Sequence, residues 1–190
     1  VYCGANIDFV DIDPVTFTLC PVELEKKLVS AEAKGKLPKI VIAVHLAGQS
    51  CDMEKIFYLS KKYNFKVIED ASHAIGAKYQ EEYIGNCRYS DIAIFSFHPV
   101  KIITSAEGGI ALTNNKVLAD NMRLHRSHGI TRNKELMEEK TPAPWYYEQI
   151  DIGFNYRMTD LQAALGMSQL AKLDYFVTKR NNIAKRYNKL

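Results

Sequence analysis

The chain has 190 residues, 47% of them apolar and 25% charged, with a net charge of +3. That length allows one sizeable core and is short for a multidomain enzyme, while the composition excludes a disordered tail or a fibrous repeat. Lys and Arg are spread out rather than gathered with aromatics in one stripe, so no nucleic-acid partner is indicated.

Residues 7–13 (IDFVDID) read as a first strand, followed by a helix from about Val22 to Ala33 that begins beside Pro21 and lines up Leu24, Leu28 and Ala31. KIVIAVH is a strand, a helix follows from about Met53 to Tyr63, and KVIED is the next strand. Strand and helix alternate, which predicts an α/β fold with a parallel sheet. KIVIAVH and DIAIFSF are nearly continuous apolar runs, as expected of strands covered by helices on both faces. GGIALT, Gly108 to Thr113, reads as a further strand, and a helix follows from Asn115 to about Ser127. Gly129 to Gln149 is polar, contains Pro142 and Pro144, and reads as a long loop of the functional or mobile kind. Thr-Asp-Leu-Gln at Thr159 opens a helix to about Leu173, and a basic helix ends the chain.

No run approaches the roughly 20 apolar residues of a membrane span, and no basic segment leads into a signal core, so no membrane partner is expected. Cys3, Cys20, Cys51 and Cys87 lie far apart with no CxxC pair, which argues against a metal site and for reduced thiols in the cytoplasm.

In an open α/β sheet, ligands bind at the carboxyl ends of the strands, and the pattern puts Asp70, Ser96, His98 and Lys101 there. Lys101 lies in SFHPVKIITSAEGG, just past the DIAIFSF strand, and suits imine chemistry. Asp70 closes VIED and could keep a pyridine nitrogen protonated, the pairing that pyridoxal phosphate requires. Ser96 could place a hydroxyl on a phosphate, His73 could stack on the ring or bond its phenolic oxygen, and Gly108 and Gly109 would let backbone approach. Each has a plainer alternative. A lone strand-end lysine is a solvated charge, Asp70 could cap a helix, and His73 could be a satisfied loop histidine.

Taken together, six ordered blocks resemble the DegT/DnrJ/EryC1/StrS aminotransferases. They are FVDID (Phe9 to Asp13), VHLAGQSCDM (Val44 to Met53), VIEDASHAIGAKY (Val67 to Tyr79), SDIAIFSFHPVKIITSAEGG (Ser90 to Gly109), RSHGI (Arg126 to Ile130) and GFNYRMTDLQAALG (Gly153 to Gly166). The resemblance implies a fold type I large domain with pyridoxal 5′-phosphate as cofactor, amination of nucleotide-linked keto sugars, glutamate as amino donor, and a homodimer with shared active sites. It makes Lys101 the Schiff-base lysine and proton shuttle, Asp70 the pyridinium partner, His73 the ring-side contact and Ser96 a phosphate ligand. Asn155 matches the residue that reaches the neighbouring subunit's cofactor phosphate, with Arg157 as a competing contact. SFHPVK, DASHAIGAKY and the stretch from Trp145 to Asp160 are most similar to members that aminate C4 of a UDP-linked 4-keto-6-deoxy-N-acetyl sugar in pseudaminic acid biosynthesis.

Family chains are longer, with a phosphate-binding Gly-Thr or Gly-Ser turn upstream and a small C-terminal domain. Residues 1–173 are therefore expected to be a partial cofactor-binding domain, incomplete at both ends, and 174–190 the start of the helix leading to the small domain. Two further readings compete. A dehydratase of the same fold carries His at the lysine position, which Lys101 opposes, and a non-catalytic scaffold would keep the fold for interaction or regulation. A nicotinamide-binding domain lacks support, since no GxGxxG follows a strand.

Overall fold

A computed structural model describes residues 2–140 and 143–190; Val1, Thr141 and Pro142 lie outside the described residues. In chain order the elements are α1 (Pro21–Ala33), β1 (Ile40–Val44), α2 (Met53–Tyr63), β2 (Lys66–Asp70), β3 (Lys78–Tyr79), β4 (Glu82–Tyr83), β5 (Ile92–Ser96), β6 (Gly109–Leu112), α3 (Lys116–Arg126), β7 (Ile130–Thr131), β8 (Glu148–Gln149), α4 (Asp160–Leu170) and α5 (Leu173–Tyr187). The central sheet has the order β1-β2-β5-β6, parallel except for its last pair, β5 with β6. The α/β class and mostly parallel sheet expected from the alternation are present.

Helix boundaries follow local chemistry. Pro21 opens α1, where a missing N–H costs nothing. The Asp52 carboxylate caps α2 through the Lys55 amide, and Asn64 ends it in the left-handed region. At α4, Thr159 and Gln162 form a reciprocal capping box.

Three expectations need correction. Residues 7–13 form no strand; apart from an isolated bridge between Ile12 and Leu19, no sheet partner engages them among the described residues. The loop after Gly129 is not structureless: β7 and β8 pair its two ends, and Met137 between them is buried. The sheet is also not covered on both faces. α1 and α2 bury Val41, Ala43 and Val67 beneath Leu24, Leu28, Met53, Ile56 and Leu59. On the opposite face Ile40, Ile42 and Val44 remain 51%, 55% and 42% exposed, so an apolar sheet face stands open.

A second cluster, Ala71, Ala74, Ile84 and Phe95, supports the segment that leaves β2. α5 leans on that segment, because a Cβ on Gly76 would lie 3.0 Å from Val177 and 3.2 Å from Leu173. No helix among the described residues is long and apolar enough to cross a membrane.

Ile56 is fully buried in the main cluster. Ile56→Ala should lower unfolding stability by about 2–5 kcal/mol in urea titration, through lost transfer energy plus a cavity. A loss below about 1 kcal/mol would mean that α2 does not pack as described.

Candidate active site at the carboxyl ends of the strands

The register sets the frame. Val44 lies opposite Asp70, and Asp70 opposite Ile94. Ser96 follows Ile94 by two residues, so Asp70 and Ser96 stand on the same, open face of the sheet at its carboxyl end. The Asp70 backbone is held from both sides, its carbonyl accepting the His45 N–H at 3.0 Å while the next amide, Ala71, donates to Ile94 at 2.8 Å.

Asp70 Oδ1 accepts from the Ser72 hydroxyl at 2.6 Å and the Ser72 amide at 3.1 Å; Oδ2 has no donor among the described residues. Residues 71–77 form turns and not a helix, so Asp70 is not a helix cap. His73 Nδ1 accepts the Ala47 amide at 3.2 Å, which leaves Nε2 to carry the ring proton of the neutral form. Ser96 Oγ accepts the His98 amide at 3.3 Å, and its own proton has no acceptor among the described residues.

Lys101 is half-buried in the loop that joins β5 to β6. That loop is stitched at its base. Phe97 N–H donates to Gly108 at 2.8 Å, and the Phe97 carbonyl accepts both the Ser105 amide at 3.0 Å and the Thr104 hydroxyl at 2.9 Å. Ile103 and Ser105 are buried. At the tip the Lys101 amide donates to the His98 carbonyl, and Lys101 Nζ engages no partner among the described residues. Gly108 meets its need for a small residue: a Cβ there would lie 2.5 Å from both Met158 Cε and Ser105 Oγ.

Asn155 arrives by a different route. The segment 150–156 is laid against 125–129 by bonds from Phe154 N–H to His125 (2.6 Å), His128 N–H to Phe154 (2.8 Å) and Tyr156 N–H to Arg126 (3.0 Å). Gly129 and Gly153 make that contact possible, since a Cβ on Gly129 would fall 1.9 Å from the Asp151 carbonyl and one on Gly153 2.3 Å from the Gly129 nitrogen. Asn155 bridges Ser127 and is exposed, as is Arg157. The structure thus brings Asp70, His73, Ser96 and Lys101 to one end of the sheet, with Asn155 on a separate exposed segment whose Met158 touches the lysine loop.

Beneath the site lies a polar cluster absent from the sequence-based site. His45 is fully buried and Glu69 nearly so; His45 Nε2 meets Glu69 Oε2 at 2.8 Å, and the Ser90 hydroxyl bonds Oε1. Burial disfavours charge on His45, whereas the Cys51 and Glu69 side chains pull its pKa upward. The Cys51 backbone N–H, however, already donates to Nδ1 at 3.1 Å. An imidazolium has no lone pair there, so the bonds present are those of the neutral ring donating from Nε2 to Glu69. Strand alternation could have found this cluster, because Glu69 falls on the covered face with Val67, where a carboxylate needs partners.

Comparison with known proteins places this arrangement in a class. The signature of the DegT/DnrJ/EryC1/StrS aminotransferase family matches residues 1–190, and the chain belongs to that family. A UDP-4-amino-4,6-dideoxy-N-acetyl-beta-L-altrosamine transaminase of Campylobacter jejuni is 39% identical over 188 residues, 98% of this chain and 46% of that protein. A GDP-perosamine synthase of Caulobacter vibrioides is 41% identical over 186 residues, 98% of this chain and 45% of the relative. Among solved structures, Helicobacter pylori PseC, an aminotransferase involved in the biosynthesis of pseudoaminic acid, matches with a TM-score of 0.86 and 32% identity over 99% of this chain and 46% of its own. The chain therefore spans about half the length of the relatives it matches. These structural neighbours agree with a fold type I architecture.

The contact that carries Asn155 can be tested. Gly129 has φ +70° and backbone within reach of any Cβ, so Gly129→Ala should cost about 1–3 kcal/mol and shift the amide resonances of 153–156. Unchanged resonances there would show that the two segments do not touch.

Proposed function

We propose that the whole protein is a pyridoxal 5′-phosphate-dependent aminotransferase that moves an amino group from glutamate to C4 of a UDP-linked 4-keto-6-deoxy-N-acetyl sugar. The observation that supports it is chemical: among the described residues, Lys101 Nζ, Asp70 Oδ2, His73 Nε2 and the Ser96 hydroxyl proton are each left unengaged at the same end of the sheet. An amine, a carboxylate oxygen, a ring N–H and a hydroxyl are the donor set that this cofactor needs, so the residues fit the group. When bound, it supplies an electron sink for the carbanion formed at the amino carbon.

The chain's own groups would do the rest. Lys101 would hold the cofactor covalently until the donor's amine displaces it; as the freed amine it would move a proton off the donor's amino carbon in the first half-reaction and supply one to the sugar carbon in the second. Asp70 would hold a proton on the ring nitrogen; its Oδ1 is already fixed by Ser72, which aims the free oxygen. Ser96 would bond the phosphate, and His73 would contact the ring. The stitched base of the lysine loop limits how far Lys101 can wander between these steps.

Asn155 would reach the cofactor phosphate of a second copy in a homodimer. The chain on either side of it carries exposed apolar side chains, Ile152 at 86%, Phe154 at 57%, Tyr156 at 73% and Leu161 at 86%, which a second copy would cover. The Campylobacter relative supports the UDP-linked sugar and the Helicobacter one the pseudaminic acid route, while the Caulobacter synthase supports a GDP-linked sugar. We place the enzyme in the cytoplasm, in keeping with four free thiols.

With pyridoxal 5′-phosphate added, the protein should gain the visible absorption band of a lysine-bound cofactor, and Lys101→Ala should not. Asp70→Ala should keep the band yet slow transamination about a hundredfold or more, roughly 2.7 kcal/mol of transition-state stabilisation. A band that survives in Lys101→Ala would remove the lysine from its role.

A further inference from the structure

The cluster under the sheet connects to the candidate site through the short loop 46–50. His45 sits at the carboxyl end of β1, with its side chain fully buried and both ring nitrogens engaged, Nε2 by Glu69 at 2.8 Å and Nδ1 by the Cys51 amide at 3.1 Å. Glu69 is fixed in turn by the Ser90 hydroxyl. His45 and Cys51 bracket residues 46–50, so the ring ties the start of that loop to its end. Cys51 Sγ adds a bond to the Val44 carbonyl at 3.2 Å.

Between those anchors the backbone takes a costly conformation. Ala47 has φ 55° and ψ 19°, the left-handed region, where a residue with a Cβ persists only when its surroundings hold it. Gly48 follows with φ +88°, and a Cβ there would lie 3.1 Å from the His73 carbonyl, so the loop is pressed onto the His73 backbone. In this geometry the Ala47 N–H donates to His73 Nδ1 at 3.2 Å. A neutral ring whose Nδ1 accepts a hydrogen bond carries its own proton on Nε2.

We propose that His45 is a positioning residue for the cofactor site. Through Glu69 and the Cys51 amide it holds loop 46–50 in its left-handed turn, so that the Ala47 amide fixes both the orientation and the tautomer of His73 and leaves His73 Nε2–H as the donor offered to the bound cofactor. The inference rests on the aminotransferase reading of the site for its last step only. Asp70 gains from the same device, because the His45 amide is the one bonded to the Asp70 carbonyl. Neighbouring residues of β2 thus divide the labour: Glu69 anchors the buried end of the relay and Asp70 faces the open side.

The test has a cofactor-free arm and a cofactor-bound arm. In the uniformly ¹⁵N-labelled protein without cofactor, through-hydrogen-bond nitrogen–nitrogen couplings should join Ala47 N to His73 Nδ1 and Cys51 N to His45 Nδ1. Their absence in the unaltered protein overturns the proposal without any variant. His45→Gln keeps a donor for Glu69 but supplies no ring nitrogen to the Cys51 amide. It should abolish the Ala47–His73 coupling and speed Ala47 amide exchange about tenfold or more, whereas Glu69→Gln, which still offers an oxygen to His45, should retain the coupling. An unchanged coupling in His45→Gln contradicts the relay.

In the second arm, His45→Gln and His73→Ala should each weaken pyridoxal 5′-phosphate binding about tenfold, and the double variant should bind no more than about twofold worse than His73→Ala. A merely structural loss at His45 would add to that at His73, and additive losses would overturn the positioning role. Failure of the unaltered protein to bind the cofactor would overturn the aminotransferase reading, while the couplings, measured without cofactor, decide the relay separately.

Discussion

Adjacent carboxylates at the end of one strand cannot serve the same side of a sheet. Alternation sends Glu69 into the covered layer and Asp70 to the open face, and the rest of the site depends on how those opposite demands are met. A carboxylate taken out of water needs full compensation, which Glu69 receives from His45 and Ser90. With Glu69 anchored, the end of β2 is immobilised from below, and the ladder bonds to β1 and β5 fix it laterally. Asp70 keeps its second oxygen without a donor among the described residues.

The lysine is held by a different principle. β5 and β6 are antiparallel neighbours that a tight hairpin could have joined, yet the chain takes a long excursion through Lys101. Such an excursion loses entropy unless its ends are tied. The Phe97 carbonyl, receiving bonds from both Thr104 and Ser105, closes it, and buried Ile103 gives it a footing in the core. Loop geometry with a rigid base is how a reactive side chain can be both placed and movable. The face of β1 opposite α1 and α2 and the aromatic stretch around Asn155 both leave apolar side chains exposed.

Much of this was legible in the residues. Continuous apolar runs located β1 and β5, the alternation of strand and helix located β2, Pro21 and Thr159 marked helix starts, and the matching blocks drew attention to Asp70, His73, Ser96 and Lys101. Other parts were not legible, for reasons that can be named. IDFVDID has the pattern of a strand but no partner strand among the described residues, and a strand exists only through pairing. β7 and β8 are short and distant in sequence, so no periodicity announces them. The Ala47 amide became relevant only through a left-handed backbone at a non-glycine residue, which composition does not reveal. His45 and Glu69 are 24 positions apart, and only the parallel register of β1 with β2 makes them neighbours.

The central claim is that Lys101, among all the lysines of this chain, is the one that the fold prepares for covalent attachment to pyridoxal 5′-phosphate. Incubation with the cofactor, reduction with borohydride and peptide mapping by mass spectrometry measure that directly. The account predicts a phosphopyridoxyl group on the peptide containing Lys101 at near-stoichiometric yield, with the other lysines unmodified. Labelling spread over surface lysines, with no enrichment at Lys101, would contradict it.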